Sequence, residues 1–391
     1  MPGPANGPPQ RIVSTPPMHP ALYARTEAEL AHAVELLSAS DFVALDTEFM
    51  RESTYFPRLC LLQAATADCC VLIDPLAIAD LGVLWTFLLD RRRLKVLHAA
   101  RQDLETLSLG IAHSRPDTDA AVPGPLFDTQ IAAGLLGHAG QIGYGGLVEA
   151  RLNHALTKGH ARTDWTRRPL SPEQLAYAAD DVRYLVPLYH DLHGALDGAG
   201  RLPWALEDNA ALEDPRLYRT EPLDAWRRLK GLERLQPAQR AIAKLIAAWR
   251  ESRAMKSDKP RGWILSDEAL REIAERRPQS INELEQIRSV AEGTVKRQGE
   301  ELLRLVSEGQ AAAAGESDSI IAQRPDPGAI ALVARLMSVV RAEAERLRIA
   351  PELLATRRDA EHLVFSGSVD HLRRGWRREV IGERLIALAG A

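Results

Sequence analysis

The chain has 391 residues, 46% hydrophobic and 26% charged, with a formal net charge of −4. That size provides for two or three separately cored domains, and the balance is that of a globular protein rather than an unfolded or polyanion-coating one. Three cysteines with no Cys-x-x-Cys pair do not suggest a disulfide framework, and no apolar run reaches the ~18 residues that a membrane span needs.

Residues 1–20 are rich in Pro and Gly without an apolar stretch, so they read as a disordered leader (1–24) and not as a signal peptide. With cysteine so sparse, the composition fits the cytoplasm. From about residue 25 to 195 strand-like and helix-like segments alternate. Apolar and β-branched runs bounded by polar residues predict strands at 42–45, 59–65 and 70–74. A helix is predicted over 80–89, a strand over 95–98, a helix over 102–109, and a short strand ending at Leu126-Phe127. Asp128 suits the N-cap of the next helix. Three adjacent strands followed by β-α-β units imply an α/β domain, a mixed sheet with helices on its faces. The cluster Gly143, Gly145 and Gly146 has no strand leading into it, so it is not a phosphate-binding glycine loop.

Beyond about residue 200 strand patterns vanish. Pro203, Pro215 and Pro222 punctuate an expected linker region. Residues 236–306 show amphipathic helices joined by turns at 259–262 and 277–280. Residues 311–328 read as a flexible linker. A last helical block at 329–391 has a similar rhythm, as a diverged internal repeat would. Residues 215–262 hold thirteen Lys/Arg against five Asp/Glu, a pattern that either solvates a helix face or meets nucleic-acid phosphates.

Asp46-Thr47-Glu48 directly follows the apolar run 42–45. Residues two apart in a strand share a face, so Asp46 and Glu48 present two carboxylates side by side. Tyr177 and Asp181 lie four apart in a segment that reads as helix, so they too are neighbours. Two carboxylates at a strand end, a distant third and a helical Tyr/Asp pair point to a divalent-metal cage. The Asp46/Glu48 pair alone would equally suit a solvated strand terminus.

The surrounding segments add weight. His98-Ala-Ala-Arg-Gln-Asp103-Leu104-Glu105 follows the fourth predicted strand, and Asp164-Trp165-Thr-Arg-Arg-Pro-Leu170 precedes Tyr177-Ala-Ala-Asp-Asp181-Val-Arg-Tyr184-Leu185. Together these segments resemble the three motifs of the DEDD 3′→5′ exonucleases in their tyrosine-bearing subclass, most closely the ribonuclease D family, over nearly all of 25–195. The resemblance implies a ribonuclease H-like exonuclease domain at 25–200. It implies that Asp46, Glu48, Asp103 and Asp181 hold two divalent ions and that Tyr177 positions the attacking water. Phosphodiester cleavage needs an activated nucleophile, neutralised phosphoryl oxygens and a stabilised leaving oxygen, which two ions about 3.5–4 Å apart can supply. Oxygen ligands suit Mg²⁺ or Mn²⁺. Without ions, four clustered carboxylates repel, so a weakly folded and inactive site is expected. The sister subclass carries a histidine where this chain has Ala176. Asp180 stands where the family usually has a small residue, and it faces either solvent or the site.

Further candidates surround this set. Gln63 matches a family glutamine near the substrate, or is a plain strand-end polar residue. His98 ends a predicted strand and is either structural or substrate-facing. Arg162, Arg167 and Arg168 flank Trp165, a combination suited to phosphate contact and base stacking, with Lys158 close by; a solvated loop would look the same.

The segment from Trp249 to Pro260, with Leu270, Ile273, Ala274, Pro278 and Leu284, resembles an HRDC domain over 217–310, and more faintly a second HRDC-like domain at 329–391. That implies a sequence-independent, salt-sensitive grip on nucleic acid, although an ordinary helical bundle has the same periodicity. Leu245, Ile246, Trp249, Leu270 and Ile273 are expected in its core. The resemblance implies a metal-dependent 3′→5′ exoribonuclease that trims tRNA precursors and other structured RNAs and releases nucleoside 5′-monophosphates, a monomer acting on RNA away from membranes. The rivals are a DNA exonuclease with the same cage and an inactive nucleic-acid-binding scaffold. The scaffold predicts a lost ligand, yet all four carboxylates and the tyrosine are present. No Gly-x-x-x-x-Gly-Lys-Ser/Thr loop is present, which argues against a helicase.

Overall fold

The computed structural model describes residues 19–115, 121–157, 159, 163–315 and 327–390. Most of the expected leader, and 316–326 of the expected linker, lie outside them. The chain divides into two compact units, one of residues 1–50, 59–215 and 327–391, the other of residues 51–58 and 216–326.

The first unit is built on six strands: β1 (Ala21–Ala24), β2 (Phe42–Met50), β3 (Arg58–Ala65), β4 (Cys70–Ile73), β5 (Leu94–Leu97) and β6 (Leu126–Asp128). They form one sheet in the order β1-β4-β3-β2-β5-β6. β1/β4, β2/β5 and β5/β6 are parallel and β3/β4 antiparallel, which is the mixed sheet expected. The helices around it are α1 (Glu27–Ser38), α2 (Gly82–Leu89), α3 (Arg101–Ser114), α4 (Thr129–Leu135), α5 (Tyr144–Leu152), α6 (Pro172–Arg183), α7 (Leu185–Gly198) and α8 (Leu202–Ala211).

Three expectations need correction. β1 and α1 were not foreseen, although Thr26 and Glu29 form a full capping box at the start of α1. β2 continues through Met50, so Asp46 and Glu48 lie inside a strand rather than at its end. Pro203 does not break the chain. It sits in the first turn of α8, where a missing N–H leaves no helical bond unmade.

The last helical block, α14 (Pro327–Leu347), α15 (Arg357–Ser366), α16 (Gly375–Arg377) and α17 (Glu383–Ala389), the last two joined by a π-helical turn at Arg378–Gly382, belongs to the first unit. Its Leu336, Val340, Leu354, Trp376 and Leu385 share one core with Ala44, Val96, Phe127, Trp165 and Leu188. Trp376 stacks on Trp204 of α8 at 4.6 Å, and Arg377 pairs with Asp208 at 2.5 Å.

The second unit has its own core. α9 (Pro237–Ser257), α10 (Arg261–Ile264), α11 (Asp267–Arg276), α12 (Ile281–Glu285) and α13 (Glu292–Gly315) bury Ile242, Ile246, Trp249, Leu270, Ile273, Leu284 and Leu302, with Leu245 partly buried beside them. α13 extends through Gly315, so the expected linker starts later than residue 311. Glu251 is buried here and meets Arg261 at 2.8 Å, Arg228 at 3.5 Å and the Tyr55 hydroxyl. Among the described residues no helix is long and apolar enough to cross a membrane.

Candidate active site

β2 aims Asp46 and Glu48 to one face while Thr47 between them points into the core, and burial alternates accordingly. α6 supplies the opposite side. Its N-terminus is set by a Ser171/Gln174 capping box with Pro172 in the first turn. Ala178, Ala179 and Val182 bury one face of α6 in the core, which turns Tyr177 and Asp181 outward together. One carboxylate oxygen from each of Asp46, Glu48 and Asp181 lies within 4.8 Å of the others. Asp180 instead pairs with Arg183 at 3.1 Å.

Asp103 lies in the first turn of α3, where a negative charge favours the helix dipole. The turn from β5 into α3 is tight, with Ala99 at φ +55°, a left-handed conformation costing on the order of 1 kcal/mol for a non-glycine residue. Asp128 holds it by accepting the N–H groups of Ala99 and Ala100 at 3.0 and 2.9 Å, while also capping α4 through Gln130 N–H. Asp103 in turn accepts a 2.5 Å hydrogen bond from the Thr47 hydroxyl. It opens with Asp46, Glu48, Tyr177 and Asp181 onto one cavity of about 310 Å³.

The electrostatics of this cavity are one-sided, since among the described residues no Lys or Arg lines it. Burial, then Asp103, Asp181 and Glu48, hold the Asp46 carboxyl well above the usual carboxylate range. Burial reinforced by Asp181 and Asp103 pushes Glu48 up to about 8. Burial takes Asp103 to about 7 against the Thr47 bond, and burial with Asp180 takes Asp181 to about 7. Four acids that repel one another around a small cavity, with three oxygens in mutual reach, fit a hard divalent cation. Tyr177 donates its hydroxyl to Asp181, and burial beside this charge keeps the phenol protonated.

The outer candidates are placed differently. His98 lines the cavity, with Nε2 donating to Ile142 O at 3.0 Å and Nδ1 against the Thr129 hydroxyl at 2.9 Å, and burial lowers its pKa. Ile142 O can only accept, which fixes the proton on Nε2. Gln63 is fully buried in β3, and neither amide atom has a hydrogen-bond partner among the described residues. Trp165 is 1% exposed and packed near Tyr177, so it is a core residue with no face free for a base. Arg168 makes two bonds to Asp74 and one each to the carbonyls of Cys60, Trp165 and Arg167. A guanidinium has five N–H donors, and all five are engaged within the protein, so Arg168 is a clamp rather than a phosphate ligand. Lys158 and Arg162 lie outside the described residues.

Tyr144 escaped the sequence reading. It lies at the first position of α5 within the glycine cluster, lines the carboxylate cavity, and also borders a second cavity of about 970 Å³ shared with Gly143, Gly145, Glu149, Tyr177 and Asp181.

Two family models match this chain, a 3′–5′ exonuclease model over residues 22–197 and an HRDC domain model over residues 239–306. Ribonuclease D from Acidiphilium cryptum is 39% identical over 378 residues, covering 95% of this chain and 93% of that protein. Ribonuclease D from Granulibacter bethesdensis is 37% identical over 382 residues, covering 94% and 92%. The crystal structure of Escherichia coli RNase D, an exoribonuclease involved in structured RNA processing, superposes with a TM-score of 0.84 at 31% identity over 95% of this chain and 99% of that one.

Proposed function

The chain belongs to the ribonuclease D family of 3′→5′ exoribonucleases, and on that premise we propose that it trims the 3′ ends of structured RNAs such as tRNA precursors, releasing nucleoside 5′-monophosphates at a two-metal site. The observation that carries this reading is the convergence of Asp46, Glu48, Asp103 and Asp181 on one small cavity that no Lys or Arg among the described residues lines. Two divalent ions, when bound, would neutralise the phosphoryl oxygens and lower the proton affinity of an attacking water.

The protein's own groups do the rest. Tyr177 keeps its proton and directs its hydroxyl into the carboxylate cluster, so it orients a water and does not act as the base. Thr47 fixes the rotamer of Asp103. The Ala99 turn, held by Asp128, sets the distance between α3 and β2. His98 is neutral and tied at both nitrogens, which suits a wall of the site better than a proton shuttle.

We assign the HRDC region the role of holding RNA. Its front carries the basic excess, and Trp226 sits between Arg227 and Lys244 at 4.9 and 4.7 Å, an aromatic ring flanked by cations of the kind that suits nucleic acid. We take 329–391 as a second, diverged copy. α14 repeats the 21 residues of α9 and α15 the 10 of α11, each shorter helix starting at a Ser or Thr N-cap and ending in a left-handed C-cap. The three free cysteines suit a reducing compartment, so we place the enzyme in the cytoplasm.

The test is digestion of a 3′-extended tRNA and a matched single-stranded DNA by purified protein with Mg²⁺ or Mn²⁺, with the products identified. Nucleoside 5′-monophosphates from RNA are expected. Full activity in Asp46→Asn or Asp181→Asn would overturn the cage, and a preference for the DNA would overturn the substrate.

A further inference from the structure

α6 and α7 are almost one helix. Between them only Tyr184 intervenes, and its φ of −83° and ψ of −12° are close to helical. The break lies in the hydrogen bonding. In an uninterrupted α-helix the Tyr184 N–H would bond to the Asp180 carbonyl. Here that N–H turns toward Val182 O, and the Asp180 carbonyl accepts a 2.9 Å hydrogen bond from the Tyr144 hydroxyl. A side-chain hydroxyl thus takes the carbonyl of one rung of the helical ladder, a recognised cause of helix interruption.

The rung it occupies is the one beside Asp181. The Asp180 carbonyl belongs to the peptide plane that ends at the Asp181 Cα, so a bond that fixes this plane fixes the base of the Asp181 side chain. Tyr144 is itself firmly placed. Its ring packs on His98 at 5.7 Å. Two residues before it, the Ile142 carbonyl accepts from both His98 Nε2 and Gln130 Nε2 at 3.0 and 2.9 Å. Gln130 N–H in turn binds Asp128, the residue that holds the turn leading to Asp103. One run of bonds therefore links the α3 side of the cavity to its α6 side.

We propose that Tyr144 is a positioning residue of the metal site, its hydroxyl wedged between α6 and α7 so that Asp181 is presented to the same ion as Asp46 and Glu48. This rests on the reading of those carboxylates as metal ligands. The Tyr144 hydroxyl donates to the Asp180 carbonyl at 2.9 Å.

The experiment compares wild type, Tyr144→Phe and Asp181→Asn by calorimetric titration with Mn²⁺ and by steady-state RNA hydrolysis. Tyr144→Phe keeps the ring and removes only the wedge. Because outer-shell partners are typically worth 10–100-fold in metal affinity, Mn²⁺ binding is expected to weaken about 10-fold. kcat should fall by a similar factor, KM for RNA should stay within about twofold, and excess Mn²⁺ should restore part of kcat. Wild-type Mn²⁺ affinity in Tyr144→Phe, alongside lost affinity in Asp181→Asn, overturns the wedge and leaves the cage intact. Wild-type affinity in Asp181→Asn overturns the cage itself. Should Tyr144→Phe not fold, amide exchange in the wild-type protein decides. Added Mn²⁺ should slow exchange at the Tyr184 N–H, by the reciprocity of coupled sites, and unchanged exchange there overturns the proposal.

Discussion

Asp74 and Asp46 are two aspartates of one sheet, two strands apart, set in opposite surroundings. Asp74, just after β4, is fully buried and accepts hydrogen bonds from the Tyr23 hydroxyl, the Leu76 N–H and twice from the Arg168 guanidinium. Asp46, in β2, faces Glu48, Asp103 and Asp181 around a cavity that no Lys or Arg among the described residues lines. Burial pushes both carboxyls upward. At Asp74 the Arg168 and Tyr23 bonds outweigh it and the net shift is downward, whereas at Asp46 the neighbouring acids add to it. Glu251 in the second unit is likewise a buried acid faced by guanidinium groups, those of Arg261 and Arg228. A buried acid that the chain neutralises for itself is architecture, and one left without a counter-charge is poised for a cation from outside.

The contrast is broken most directly by removing each charge in turn. Asp46→Asn should lower metal-supported RNA hydrolysis on the order of 10³-fold, about 4 kcal/mol of barrier. The metal-free variant should nonetheless melt higher than wild type, because it loses a carboxyl whose ionised form burial and the neighbouring acids disfavour. A lower melting temperature in the metal-free variant would show that repulsion is not the governing feature of this cavity. Asp74→Asn should do the reverse. It strands the Arg168 guanidinium, whose side chain is 26% exposed. A loss of about 2–3 kcal/mol is therefore expected, between the surface and buried limits for a broken pair. Mn²⁺ affinity should stay at the wild-type value, and a change in metal titration without a change in melting would erase the distinction drawn here.

The arginine also shows how far residues alone could carry the reading. The pairs Asp46/Glu48 and Tyr177/Asp181 were legible because their geometry is local, two residues apart on a strand and four apart on a helix, whereas Asp103 was reached only through the family resemblance. The alternation of the sheet domain was legible for the same reason. Arg168 and Trp165 were not, because phosphate contact and burial use the same residue types. Only the three-dimensional position of Asp74, 94 residues away, separates them. Tyr144 was missed on similar grounds. Its partner is a backbone carbonyl 36 residues on, and a carbonyl leaves no mark in a sequence. α1 could have been found, since Thr26-x-x-Glu29 is a local signal that precedes an apolar-periodic run.

The pH dependence of the metal-free protein sharpens the comparison further. Glu48, Asp103 and Asp181 are all raised in the folded state, to about 8, 7 and 7, whereas unfolded carboxyls titrate near 4. The native state therefore holds more protons than the unfolded one across this window, and stability must fall as pH rises through it. The contribution is fully present below about pH 4 and lost by about pH 8. Asp74, lowered in the folded state, works in the opposite sense at acid pH. Melting curves in EDTA from pH 4.5 to 8.5 should decline with pH, and saturating Mg²⁺ should flatten the decline. A rise with pH in EDTA would mean that the four acids are neutralised by a group of the protein itself.

The smallest effect is expected at Thr47, whose hydroxyl supplies a neutral hydrogen bond from β2 to the cluster. Its hydroxyl donates to Asp103 at 2.5 Å and favours the charged form of that carboxyl. Thr47→Val removes the donor and leaves a methyl group of similar size in a buried site. The Asp103 carboxyl then moves further up, because burial acts without its main opponent. At neutral pH fewer molecules carry the ionised ligand, so hydrolysis should fall about 3–10-fold, roughly the 1 kcal/mol of one hydrogen bond. The pH for half-maximal Mn²⁺ binding should rise by a measurable fraction of a unit, while melting in EDTA changes by less than about 1 kcal/mol. The direction is what matters. A neutral donor at Asp103 does weakly what Arg168 does strongly at Asp74. If the Mn²⁺ profile of Thr47→Val does not move, Asp103 is held ionised by something other than its neighbours in β2.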